Sequence, residues 1–439
     1  MASDSPSDRV DKIFERFDRR DSPGCALAVM RDGGVIYKHG YGMADLDHDV
    51  AITPSTVFHV ASVSKQFTDA AIVLLAQEGK LSFDDEVRKY IAELPDFGQR
   101  ITIRHLIHHT SGLRDQWSLL GLAGWRYSLD LITDDDILEM MSRQKDLNFR
   151  PGEKHVYCNT GYTLLALIVK RVSGRSFREF TSQRIFEPLG MANTHFRDDH
   201  AEIVKHQAYG YSPSRDTWRL SVTNFDTVGA TSLLTTAEDL ARWDRNFDEP
   251  TVGGPKLIEQ LLERGRLNNG EQLSYAFGLT HGLYKGQAVI EHSGGDAGYR
   301  AHFIRFPERK LSVACLCNAG NANPSRLARN VADAYLDLKD EATPPKPSGR
   351  VDRDVCPAMP GCTGWRMAIR FARFFCVMGS CFCNWEVTTS NWKPWRQIAS
   401  GLKKFHSSTN LGLTNCANSQ AGRGMCSSAS RGSTRRPRS

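Results

Sequence analysis

The chain has 439 residues, of which 40% are hydrophobic and 24% charged, with a formal net charge of +6; that is enough for two or three ordinary domains, or one large enzyme unit with an extra piece. It contains no run of about 18 uncharged apolar residues, which argues against a membrane-spanning helix, and the charged start MASDSPSDRVDKIFERF lacks the apolar centre of a secretory leader, so a cytoplasmic protein is expected. The net positive charge comes from the end: residues 351–439 hold 13 Lys/Arg against 3 Asp/Glu, a net of +10, which leaves −4 on residues 1–350, so nothing there suggests a nucleic-acid surface.

In chain order, Val10, Ile13, Phe14 and Phe17 fall on one helical face. GCALAVMRDGGVIYKHGYG reads as two strands around an Asp32-Gly33-Gly34 turn. A helix runs from Ser62 to about Gln77, with Phe67, Ala71, Leu74 and Leu75 on one stripe and Ile72 and Val73 on the other side. Such a helix is buried nearly all round, and Gly79 is its stop. Helical segments and loops follow to about residue 265. After Ala288 come three strands, AVIEH, YRAHFIRF and LSVACLCN, with a turn over 307–310. Leu311, Val313, Cys315 and Cys317 alternate onto one face. A last helix opens at Asn323-Pro324 and turns Leu327, Val331, Ala334 and Tyr335 inward. Strands at both chain ends with helices between them imply an α+β fold: one antiparallel sheet built from both ends, flanked by helices, with a helical lobe inserted.

EATPPKPSGR, residues 341–350, reads as a linker. Seven of the 11 cysteines and four of the eight tryptophans lie beyond it, in a stretch of no clear period. Residues 351–439 are expected to be disordered or an out-of-frame translation; an intact reading frame in the source gene around codon 350 would sink the second idea. The four body cysteines, Cys25, Cys158, Cys315 and Cys317, read as buried thiols of a reduced protein.

The motif that carries chemistry is Ser62-x-x-Lys65 in HVASVSKQFT. Its spelling is cheap, because Ser142/Lys145, Ser390/Lys393 and Ser400/Lys403 share it. Only Ser62 stands where a strand or loop meets a buried helix, with Lys65 one turn on along the same face. A lysine partly desolvated beside a serine can lose its proton and act as a base; the bland alternative is a capping serine and a solvated lysine. Two further elements stand with it: Tyr157-Cys158-Asn159, at a loop tip between Pro151-Gly152 and a helix that Gly174 stops, and His292-Ser293-Gly294, at a strand end. There is no Gly-x-Ser-x-Gly elbow and no dinucleotide or phosphate fingerprint. His105, His108 and His109 share helical spacing, but no Glu lies between them. No metal and no cofactor is expected.

Ser-x-x-Lys, then Tyr-x-Asn, then Lys/His-Ser/Thr-Gly, with the flanks TPSTVFHVASVSKQFT, ITIRHLIHHTSGL and VGATSLLTTAEDLARW, resembles the serine β-lactamase and penicillin-recognising superfamily over about residues 8–340. The likeness is to its class C-like branch, with D-aminopeptidases and family VIII esterases. That resemblance implies the β-lactamase/transpeptidase-like fold for a domain at 1–340. It implies a Ser62 acyl-enzyme, with general-base work shared by Lys65 and Tyr157, and Asn159 orienting Lys65 and substrate. The implied oxyanion hole is the backbone N–H of Ser62 and Gly295, with Ser293 and Gly294 along the substrate. Relatives with similar HSGGDAGYR segments often continue into a β-barrel, and residues 351–439 show no alternating strands of that kind. His292 replaces the lysine of the lactamases, and a histidine is mostly neutral near pH 7. The expectation is therefore a hydrolase of small esters, amides or peptides with weak or no β-lactamase activity; the alternative is a non-catalytic module of the same fold that binds peptides or serves as a scaffold. No nucleic-acid or membrane partner is expected, and nothing in the sequence specifies an oligomeric state. Trp117, Trp125, Tyr209 and Tyr211 are candidates to line the pocket, within loops 115–150 and 205–230.

Overall fold

A computed structural model describes residues 5–127 and 129–338; the linker expected at 341–350 and the tail at 351–439 lie outside the described residues. The five strands read in the sequence are joined by one that was not, Thr280–Tyr284, in a six-stranded sheet: β1 (Cys25–Arg31), β2 (Gly34–Tyr41), β3 (Thr280–Tyr284), β4 (Gln287–Asp296), β5 (Tyr299–Phe306) and β6 (Leu311–Cys317). The strand order is β3-β4-β5-β6-β1-β2, every pair antiparallel. At the first hairpin Asp32 and Gly33 both take positive φ, 51° and 76°, the twist that suits a tight antiparallel connection, and Gly34 already belongs to β2.

Both faces of the sheet are covered, so neither alternating set is left in water. Ala26, Ala28, Met30, Ala301, Phe303, Ala314 and Leu316 face the inserted lobe. Leu27, Val29, Ile304, Val313 and Cys315 face the two terminal helices, α1 (Pro6–Phe14) and α6 (Pro324–Leu336). A capping box between Ser5 and Asp8 starts α1. Arg9 then ties the two helices together, to the Ala334 carbonyl and to the Asp337 carboxylate. The expected α+β architecture, with one sheet built from both chain ends, is what forms.

The lobe is organised on α2 (Lys65–Gln77), packed against α4 (Asn159–Ser173), with α5 (Ala237–Asp248) between it and the sheet. Every residue of α2 from Lys65 to Leu75 is buried. Phe67 packs on Phe186 and Trp243 at ring distances of 5.6 and 4.6 Å. Burying each such large side chain contributes roughly 1.5–3 kcal/mol, so Leu75→Ala would cost about 2–5 kcal/mol. The helix stops at Gly79, whose φ of 69° releases the chain. This buried element carries Lys65, the lysine of the Ser-x-x-Lys motif, as its first residue.

Two expectations need correction. β4 does not end at the His292-Ser293-Gly294 motif but carries it through to Asp296, because the β5 ladder continues to Asp296↔Tyr299. The four body cysteines are not all thiols: Cys25 and Cys317 are joined by a disulfide, while Cys158 and Cys315 are free and buried. The register β1↔β6 sets Cys25 opposite Cys317, a pairing across 292 residues that no local pattern announces. Among the described residues no helix is long and apolar enough to cross a membrane.

Candidate active site

Ser62 lies in a single 3-10 turn, Ala61–Ser64, between the short strand Phe58–His59 and α2. Ala61 takes φ 48°, a left-handed conformation that costs a non-glycine residue roughly 1–2 kcal/mol. That kink turns the chain sharply into α2 and leaves Ser62 partly exposed while Ala61, Val63 and Ser64 are buried. Ser64, not Ser62, is the structural serine. It donates to the Ala61 carbonyl at 2.5 Å and accepts from the Leu233 N–H at 3.1 Å.

Lys65 is wholly buried. Its Nζ has three oxygen neighbours: Ser62 Oγ at 3.1 Å, Asn159 Oδ1 at 3.0 Å and the Ala230 carbonyl at 2.6 Å. Burial pulls its pKa down to about 7, against the opposing pull of the Asp115, Asp296 and Asp69 charges. The three oxygens suit both protonation states: the ammonium donates to all three, and on loss of one proton the amine keeps two donors and gains a lone pair. A carbonyl and an amide oxygen can only accept, so in the neutral amine they take its two N–H bonds and the lone pair faces the Ser62 hydroxyl.

Asp115 settles which way Asn159 faces. One carboxylate oxygen accepts from both Asn159 N and Nδ2, at 2.7 and 2.9 Å, so the amide oxygen must point to Lys65. The other oxygen caps α3 (Gln116–Ala123) at Trp117 and Ser118. Gly229 brings the Ala230 carbonyl in: its φ is 90°, and a Cβ there would stand 2.5 Å from the Tyr162 carbonyl. Neither Asp115 nor Ala230 was found by sequence reasoning; the only signal for them was the likeness of their flanking segments.

Tyr157 stands over the lysine, its ring centroid 4.9 Å from Nζ. The residue as a whole is 37% exposed, yet desolvation at the site drives its pKa far above the ordinary phenol value, and its hydrogen bond with Ser62 opposes that only in part. It is therefore a protonated hydroxyl near neutral pH. His109 holds this loop. Its Nδ1 accepts the Cys158 N–H at 3.1 Å, its ring packs 4.2 Å from that of Tyr157, and its own φ is 56°. Of the other two histidines of this segment, His105 Nδ1 accepts the Thr102 N–H, and His108 packs edge-on against Phe277.

The opposite wall is β4. A Cβ on Gly294 would lie 2.1 Å from the Val60 carbonyl and 3.1 Å from the Ser62 nitrogen, so only glycine lets this strand approach the serine turn. His292 points inward and is buried; burial, the Lys65 charge beside it and its surroundings hold its pKa down to about 3. Its Nδ1 donates to the Ser293 carbonyl at 2.7 Å, and Nε2 accepts from the Tyr275 hydroxyl at 3.3 Å. The neutral histidine expected at this position is thus what the environment enforces. Ser293 points to the other side of the strand and is exposed.

Of the four pocket candidates, Trp117 and Trp125 stack at 5.6 Å and adjoin Phe225 and Tyr127. The Tyr127 hydroxyl accepts the Ala297 N–H just beyond β4. Tyr211 is instead a buried packing residue whose hydroxyl accepts the Leu46 N–H, and Tyr209 is about half exposed.

The family profile described as Beta-lactamase matches residues 10–338. The chain is 32% identical over 322 residues to penicillin-binding protein 4* of Bacillus subtilis, covering 70% of each. It is 29% identical over 335 residues to a D-aminopeptidase of Gluconobacter oxydans, covering 76% of this chain and 63% of that one, less than two thirds of its length. Among solved structures it is similar to the octameric penicillin-binding protein homologue from Pyrococcus abyssi, with a TM-score of 0.66, 30% identity, and coverage of 75% of this chain and 77% of that one.

Proposed function

This chain belongs to the beta-lactamase family, and on that premise we propose that it is a serine hydrolase of the esterase and amidase kind, its catalytic unit in residues 1–340. The observation that carries the reading is the placement of Lys65: a buried amine whose pKa lies near neutrality, 3.1 Å from Ser62 Oγ and held on its other sides by two oxygens that can only accept.

In the proposed reaction Ser62 Oγ attacks the carbonyl carbon of a small ester, amide or peptide and passes its proton to Lys65 Nζ. The oxygen that becomes negative lies between the backbone N–H groups of Ser62 and Gly295, donors worth roughly 3–4 kcal/mol each. Tyr157, protonated and bonded to Ser62, relays that proton to the departing alkoxide or amine. The acyl-enzyme then loses its acyl group to water by the reverse sequence. His292 and Gly294 shape the strand against which the acyl group lies.

A neutral His292 offers no charge to a substrate carboxylate, which supports weak or no β-lactamase activity. The alternative of a purely binding module finds no support in a site whose nucleophile, base and base-orienting amide all stand within bonding distance. D-aminopeptidase activity is the named activity of one relative, and an acyl group bearing an amine is a reasonable substrate class to test. A cytoplasmic location and action without a membrane partner belong to the same proposal.

Intact-mass labelling with a fluorophosphonate on the full chain tests it. One adduct that maps to Ser62 and is absent from Ser62→Ala supports the hydrolase. An unlabelled chain that is folded by circular dichroism refutes it.

A further inference from the structure

Three buried side chains that the acyl-transfer chemistry does not use meet at one oxygen. Asp296 Oδ2 is 2.7 Å from Thr231 Oγ1 and 3.2 Å from His59 Nε2, and Thr231 Oγ1 is 3.1 Å from the same Nε2. All three residues are 8% exposed or less. They come from distant segments, and each stands close to a functional atom along its own chain. Asp296 follows Gly295 at the end of β4. Thr231 follows Ala230, whose carbonyl takes Lys65 Nζ. His59 ends the short strand that leads into the Ser62 turn.

A carboxylate can only accept, so the Thr231 hydroxyl donates to Asp296. A ring lone pair facing that carboxylate would be repelled, so His59 Nε2 carries hydrogen and donates into the same pair of oxygens. His59 Nδ1 has no partner among the described residues, and a buried nitrogen without one is unfavourable. The ring packs on Tyr299 and Phe225 at 5.4 and 6.2 Å, where an apolar ring would pack as well. What the imidazole adds over such a ring is the Nε2 donor. Along β4, His292, Gly294 and Asp296 share the buried face. Gly294 lets the strand approach Val60 and Ser62 but has no side chain to hold it there. Asp296, two residues on, supplies the grip.

We propose that Asp296 is a positioning residue for acyl transfer: by holding Thr231 and His59 together it fixes the gap between the Gly295 N–H and the Ser62 turn, and seats the Ala230 carbonyl on Lys65. The inference rests on the hydrolase reading and deepens it. Loosening the cluster widens the oxyanion hole, which penalises the charged tetrahedral state more than the bound ground state. The loss therefore falls on kcat and on anionic analogues rather than on KM. The charge of Asp296 also acts on Lys65 and Arg300, so an uncharged residue there has a second effect, a fall in the lysine pKa.

The test uses the full chain, a 4-nitrophenyl ester and phenylboronic acid, whose tetrahedral adduct with Ser62 carries an anionic oxygen as the reaction does. Thr231→Val removes the hydroxyl and no charge. Its kcat should fall roughly 10- to 100-fold and inhibition by phenylboronic acid should weaken in parallel, while KM holds and the acid limb stays at about 7. Thr231→Ser, which restores the donor, should recover most of kcat. Asp296→Asn should lower kcat in the same way and also move the acid limb to lower pH. If Thr231→Val does not fold, the kcat and boronate inhibition of Asp296→Asn decide. A folded variant of either kind that matches the natural chain in both readouts overturns this inference alone. So does a loss of kcat that leaves boronate inhibition unchanged, or one that Thr231→Ser fails to repair. A natural chain with no ester turnover and an unlabelled Ser62 overturns the hydrolase reading, and this inference with it.

Discussion

Asp115→Asn isolates an electrostatic effect from a geometric one. The carboxylate reaches Lys65 through Asn159, by contacts of 2.9 Å and 3.0 Å on either side of the amide. At a separation of about 7 Å and an effective dielectric of about 20, two unit charges interact by about 2 kcal/mol, or between one and two pH units. The charge favours protonated Lys65. Removing it lowers the lysine pKa further, so the neutral base exists at lower pH. The acid limb of kcat/KM, set by Lys65 at about 7, should move to roughly 5.5. The plateau should fall as well, because an amide at position 115 no longer dictates the orientation of Asn159. Ester turnover between pH 4.5 and 9 separates the two effects, as limb position and plateau height. A limb that stays put or moves upward would falsify the assignment of Lys65 as the titrating base.

Ser62→Ala should lose ester turnover by at least about 10³-fold with its circular dichroism unchanged. Gly294→Ala pushes a methyl group onto the Val60 carbonyl; labelling of Ser62 by a fluorophosphonate should slow by roughly 100-fold or more, and an unchanged rate would mean that β4 does not frame the oxyanion. Because His292 is held near a pKa of 3, its titration should leave no step in the pH profile between 5 and 9, and nitrocefin turnover should fall far below ester turnover; comparable rates would contradict the neutral-histidine reading. His109→Ala removes the acceptor of a buried N–H and should cost about 1–3 kcal/mol in chemical unfolding, together with a drop in kcat from a loosened Tyr157.

What was legible in the sequence is what is local. Helix α2 announced itself by continuous apolar burial and a glycine stop, and Ser62 and Lys65 share one turn of chain. Tyr157 and Asn159 were readable because two residues of spacing fix them together at the mouth of α4. The rest of the site is assembled by contacts between distant segments. Asp115 meets Asn159 across 44 residues, and His109 meets Cys158 across 49. The Ala230 contact is made by a backbone carbonyl, which any residue type could supply, so composition holds no trace of it. Strand β3 was missed because THGLY alternates weakly, with most of its residues only half-buried. The Cys25–Cys317 bond was missed for the same reason as the pairing of β1 with β6: neither strand carries a mark of its partner.

That pairing has a consequence for the growing chain. Ser62 and Lys65 leave the ribosome early, but Gly294 and Gly295 follow some 230 residues later, which at about 5–20 residues per second is a gap of roughly 10–50 s. Strand β4 is held in place by β5 and, through it, by β6, the strand that joins the early β1. Until then Ser62 would have only one of the two oxyanion donors proposed for it. On the proposed mechanism the nascent protein carries its nucleophile unarmed, and would acquire reactivity only once nearly the whole domain has been made.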